Sequence, residues 1–94
     1  MPTVRRSDAA ELAIRELATE QPDGGSALRR EVESVERTLS VLPRSGKEVG
    51  RSAGISAHTL ITPSGSHQVA YLYDLYGDFV EIDNVVPTRS SLKR

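Results

Sequence analysis

Apolar residues recur at helical spacing twice in the first half of the chain, and beyond residue 56 they fall at alternate positions instead. Ala10, Ala13, Ile14, Leu17 and Ala18 share one helix face and leave Glu11, Arg15 and Glu16 outward, which predicts a helix over 8–20. Ser7-Asp8 can start it, and Asp8 followed by Glu11 reads as a capping-box variant, with both carboxylates at the positive helix end. Gln21-Pro-Asp-Gly-Gly25 then reverses the chain. Ser26 can cap a second helix over 26–42, whose stripe Leu28, Val32, Val35, Leu39 and Leu42 is bordered by charged residues. That stripe has the coiled-coil period but lasts only about two heptads. It predicts packing on the first helix and a sheet, with a partner helix or a second copy as the other reading.

Residues 44–54, rich in glycine and basic side chains, read as an exposed connector. After it, Ala57, Thr59 and Ile61 form one face of a strand over 57–62, and Pro63-Ser-Gly-Ser66 makes a turn. Val69, Tyr71, Tyr73 and Leu75 share a face of a strand over 67–75. Gly77-Asp78 reverses again into a strand over 79–86, with Val80, Ile82 and Val86 together, and Pro87 ends it. Thr3 to Arg6 has room for a brief edge strand. The expectation is one α+β domain over residues 1–94: a short N-terminal strand, a helical hairpin and a three-stranded antiparallel sheet, with 87–94 a polar tail.

Composition narrows the function. Without cysteine there is neither a disulfide framework nor a thiolate metal site, which fits a reducing, cytoplasmic setting. The first residues lack the apolar core of a signal peptide, and no apolar run approaches the roughly 20 residues of a membrane span. A net charge of −1 provides no general attraction for nucleic acid, so any RNA contact needs a local patch. Arg44, Lys47 and Arg51 form one such segment, and Arg89, Lys93 and Arg94 another. Asp74, Asp78, Glu81 and Asp83, between them, lack calcium-loop spacing and read as a solvated face. His58 and His67, nine residues apart across a turn, are placed to approach one another. Either can serve as an acid or base, but no third metal ligand stands at a recognisable spacing, so neither metal nor cofactor is expected. Tyr71 and Tyr73 share a face with Val69 and Leu75 and read as core rather than as base-stacking platforms.

Val4-Arg-Arg-Ser-Asp-Ala-Ala-Glu-Leu12, His67-Gln-Val-Ala-Tyr-Leu-Tyr73, Gly77-Asp-Phe-Val-Glu-Ile82 and Val85-Val86, in this order of elements, resemble the RelE/ParE toxin superfamily. The resemblance implies a toxin of a type II toxin–antitoxin system, bound by a cognate antitoxin protein. For members that cut messenger RNA on the ribosome it implies attack by a ribose 2′-hydroxyl on the adjacent phosphate, served by convergent basic residues. On that reading Arg51, Arg89 and His67 are the catalytic candidates, and Arg44 and Lys47 contact RNA. Gln68 stands where such members commonly place arginine, and a neutral amide does not replace a guanidinium at a phosphate. The resemblance therefore also admits a binding protein without catalysis: a DNA-gyrase inhibitor of the ParE kind, or a nontoxic accessory domain that forms homodimers.

Overall fold

The computed structural model describes residues 2–88. Along these residues run β1 (Thr3–Arg6), α1 (Asp8–Thr19), α2 (Ser26–Val41), β2 (Lys47–Ser52), β3 (Ile55–Ile61), β4 (His67–Asp74) and β5 (Phe79–Pro87). All the strands join one sheet in the order β1-β5-β4-β3-β2. The α+β class and the helical hairpin are as the periodicity predicts, and the sheet is larger. β1 adds to it in parallel with β5, while the other neighbours pair antiparallel. Residues 47–52, expected to be a connector, form an edge strand whose six residues are all exposed. Its sequence shows no alternation because neither face is buried, and alternation records burial, not hydrogen bonding.

Local chemistry sets both helix starts. Ser7, not Asp8, is the N-cap of α1: its side chain accepts the Ala10 N–H at 3.0 Å, while Asp8 and Glu11 occupy the first turn. At α2 the N-cap is Gly25, at φ 94°, and no side chain of its own caps the helix. Asp23 does so from upstream, accepting the Gly25 N–H at 2.9 Å and the Ala27 N–H at 3.0 Å. Those two bonds, the Ala27 one foremost, hold its carboxyl below the usual carboxylate range.

The helices cover one sheet face. Ala10 and Ile14 of α1 and Leu28, Val32, Val35 and Leu39 of α2 form a single core with Val69, Tyr71, Val80, Ile82 and Val85. Each fully buried Val, Leu or Ile contributes roughly 1.5–3 kcal/mol. The α2 stripe is thus buried within the monomer except at Leu42, which is 60% exposed. Two further expectations are corrected. On β3 it is Ser56 and His58 that are buried, while Ala57 and Thr59 are half-buried and Ile61 is exposed, because His58 faces Tyr71 in the ladder. Their polar atoms are hydrogen-bonded, which makes that burial tolerable. On β5 Val85 takes the core position expected of Val86. The pairing skips from Ala70↔Asn84 to Tyr71↔Ile82, and the extra residue, Asp83, reverses the facing of every later residue in the strand. Among the described residues no helix is long and apolar enough to cross a membrane.

Candidate functional site

With the helices on one face, the other face of the sheet is left open among the described residues. Pairing fixes which side chains it presents: Lys47 with Thr59, Ala70 and Asn84; Gly50 with Ala57, Leu72 and Glu81; and Ile61 with Gln68 and Val86. None of these is fully buried. The middle strand offers Gln68, Ala70, Leu72 and Asp74 here, with no cation. Arg5, at the far edge, is paired with Glu81 at 3.6 Å and lies 4.6 Å over the Phe79 ring.

A one-residue bulge decides how β2 displays its charge. The pairing passes from Glu48↔His58 to Gly50↔Ala57, so Val49 is extra. In a regular strand Lys47 and Arg51, four apart, share a face and Glu48 lies opposite to both. The bulge instead aligns Arg51 with Ser56 and Glu48 with His58, both on the helix side, and leaves Lys47 on the open face. Glu48 and Arg51 consequently meet in a two-pronged ion pair at 2.9 and 3.2 Å. The Arg51 hydrogen bonds hold the Glu48 carboxyl below its usual range, and Glu48 raises the Arg51 guanidinium. Arg44 lies on the same side, 5.9 Å over the Tyr73 ring, and also acts on Glu48 through space.

The histidines do not meet. His58 opposes Tyr71, and His67 opposes Pro87, four positions away along β4 or about 13 Å at 3.3 Å per residue. His67 is buried, with Nδ1 2.8 Å from the Ser66 hydroxyl and its backbone N–H on the Thr62 hydroxyl at 3.2 Å. Arg51 aligns through Ser56 with Tyr73, six positions from His67 on β4, about 20 Å away. Arg44 and Arg51 are brought to one side near Tyr73, and Lys47 and His67 lie apart from them. Arg89 falls outside the described residues. No group of His, Asp and Glu suited to a metal occurs among the described residues.

The sequence did not reveal the clamp at the entry to β2. The Tyr71 hydroxyl accepts the Gly46 N–H at 2.9 Å and donates to the Pro43 carbonyl at 2.9 Å. His58 Nδ1 lies 3.2 Å from the Gly46 carbonyl, and its Nε2 lies 2.8 Å from the Ser56 hydroxyl. A carbonyl only accepts, so Nδ1 carries a proton, and in the neutral ring Nε2 accepts from the Ser56 hydroxyl. Burial raises the Tyr71 phenol above its ordinary value. Polar residues at 56 and 58 within a β-rich stretch were the available signal.

No protein-family model matches the chain, and no curated protein matches it in sequence. Solved structures do. A chain of the archaeal RelE–RelB complex from Pyrococcus horikoshii OT3 aligns with a TM-score of 0.68 at 12% identity, over 92% of this chain and 93% of that one. The fold is RelE-like. A chain of the toxin–antitoxin complex RelBE2 from Mycobacterium tuberculosis aligns with a TM-score of 0.64 at 24% identity, over 94% of this chain and 100% of that one. In this RelE-like fold the open sheet face and the β2 edge are the surfaces that the helices leave uncovered.

Proposed function

We propose that this chain is the toxin-like component of a toxin–antitoxin pair, acting on its target through surface contacts and held in check by a protein partner. The observation that carries the reading is the match, over nearly the whole length of both chains, to chains from a RelE–RelB complex and from a toxin–antitoxin complex. The ribonuclease version gives Arg51, Arg89 and His67 to chemistry and Arg44 and Lys47 to RNA contact. It needs those groups to converge on one phosphate, because charge stabilisation works only on the atoms it reaches. Lys47 and Arg51 pair onto opposite faces, Arg51 is neutralised by Glu48, and Gln68 is uncharged. These features favour action by binding, on gyrase or another protein target.

The test is inducible expression in a host cell of the wild type and of an Arg51→Ala, Arg89→Ala double variant, following growth, messenger integrity and DNA supercoiling together. Growth arrest with intact messenger in both, relieved by the product of the adjacent reading frame, is the expected result. Messenger cleavage that disappears in the folded double variant selects the ribonuclease version. A wild type that neither slows growth nor binds the adjacent product removes the toxin reading.

A further inference from the structure

β2 ends the sheet, and its six residues are all exposed, with no strand beyond it among the described residues. A free edge is a template for another strand, and proteins commonly guard it with charge and with a bulge. β2 has both, and together they define what can pair with it. The bulge at Val49 sets the facing pattern. Lys47, Gly50 and Ser52 align through Thr59, Ala57 and Ile55 with the open face, and Glu48 and Arg51 align through His58 and Ser56 with the helix side. Opposed residues of an antiparallel pair share a face, and a regular strand alternates. A regular strand laid along β2 that matches faces on one side of Val49 therefore mismatches them on the other.

A second β2 carries the same extra residue. Laid antiparallel with Glu48 opposite Arg51, it brings Lys47 opposite Ser52 and Val49 opposite Gly50, and the pairs flanking the bulge agree in face, helix side with helix side and open with open. Sliding either strand by one residue puts Lys47 opposite Arg51 or Glu48 opposite Ser52, and the members of those pairs lie on different faces. The matched register also joins opposite charges. On the helix side two Glu48 carboxylates alternate with two Arg51 guanidiniums, so the ion pair inside each copy, at 2.9 Å, gains a counterpart across the junction. Arg44 also acts on Glu48 but stands over Tyr73 of β4, two strands in from this edge. Val49, 59% exposed, meets Gly50 of the copy, where an added Cβ touches nothing within 4 Å. The Ala53-Gly54 turn, at φ 51° and 82°, closes on Ser52 and Ile55, and by the alternation of an antiparallel ladder Arg51 then directs its N–H and C=O to the free edge.

We infer that β2 pairs with β2 of a second copy of this chain, antiparallel and with Glu48 opposite Arg51, so that two five-stranded sheets run on as one with their open faces on the same side. A net charge of −1 per chain opposes this little. Six residues from each copy make a small interface, so the dimer forms reversibly, with a dissociation constant on the order of 100 µM. The inference does not depend on the toxin reading, which concerns the target and the antitoxin.

Sedimentation equilibrium of the full chain from about 10 µM to about 1 mM, a range that brackets that constant, should show the mass rise from 10.2 kDa toward twice that value. Glu48→Arg and Arg51→Glu each set like charges together across the junction and weaken association about tenfold or more. Mixed one to one, the two variants associate again, because one strand is then basic at both positions and the other acidic. A chain carrying both changes associates like the wild type. Circular dichroism establishes that each variant is folded, and the amide resonances that move with concentration cluster at Lys47 to Ser52. A wild type that stays monomeric through this range overturns the inference, as does a mixture no better associated than either variant alone. Concentration-dependent shifts centred elsewhere also overturn it. So do β2 shifts that arise only on adding RNA or the product of the adjacent reading frame, which give the edge to a different occupant.

Discussion

His58 and Tyr71 stack across β3 and β4 with ring centroids 5.0 Å apart and planes within 6° of parallel, and both rings hold Gly46. Through that one residue the core of the sheet fixes where the chain leaves α2 and enters the edge strand. Removing the hydroxyl in Tyr71→Phe strands the Gly46 N–H and loosens the Pro43 carbonyl. The expected loss is about 1–3 kcal/mol of unfolding free energy, read from urea denaturation, with faster amide exchange at Gly46. An unchanged midpoint and exchange rate contradict the clamp.

Gly46 itself has no room to spare. A Cβ there meets the Thr59 carbonyl at 2.6 Å and the Tyr71 hydroxyl at 2.8 Å, whereas a Cβ on Gly50 meets nothing within 4 Å. Gly46→Ala should cost about 1–3 kcal/mol through overpacking, and Gly50→Ala should stay within about 0.5 kcal/mol. Thermal melts of the two variants separate them, and equal melting temperatures refute the close approach.

The β1 edge is tied to α2 by Arg6, whose Nε and second guanidinium nitrogen donate to the two Glu36 oxygens at 2.7 and 3.1 Å. Both side chains are about four-fifths covered, so water screens them less than it screens a surface pair. A double-mutant cycle with Arg6→Met and Glu36→Gln should return a coupling of about 1–2 kcal/mol. A coupling indistinguishable from zero means that the helix holds β1 by apolar contact alone.

Asp23 predicts a pH dependence of definite sign. Its carboxyl titrates lower in the folded chain than in the unfolded one, because Ala27 and Gly25 N–H groups bind the charged form. The stabilisation is therefore complete above the ordinary carboxylate range near pH 4 and is lost as pH falls through the folded-state value. Asp23→Asn should lower the melting temperature at neutral pH and converge with wild type in acid. Parallel curves at all pH values exclude the linkage.

Lys47 and Arg51 should separate functionally. If the open face engages the target, Lys47→Glu abolishes growth inhibition while Arg51→Ala, on the helix side, keeps it. The reverse result, with both variants folded by circular dichroism, places the working surface on the helix side of β2.

The helices, the β3-β4-β5 meander and the buried stripe from Leu28 to Leu39 were legible in the sequence, because periodic burial leaves periodic composition. β1 was legible only as room for a strand, since its parallel partner β5 lies more than 70 residues away in the chain. β2 was not legible, because an edge strand exposed on both faces follows no apolar code. The candidate site depended still more on tertiary structure. Arg44, Lys47 and Arg51 are close together in sequence, and regular strand geometry puts the last two on one side. The extra residue at Val49 parts them and gives Arg51 to Glu48. A side-chain period of two makes every facing depend on register, and here pairing with β3 set the register.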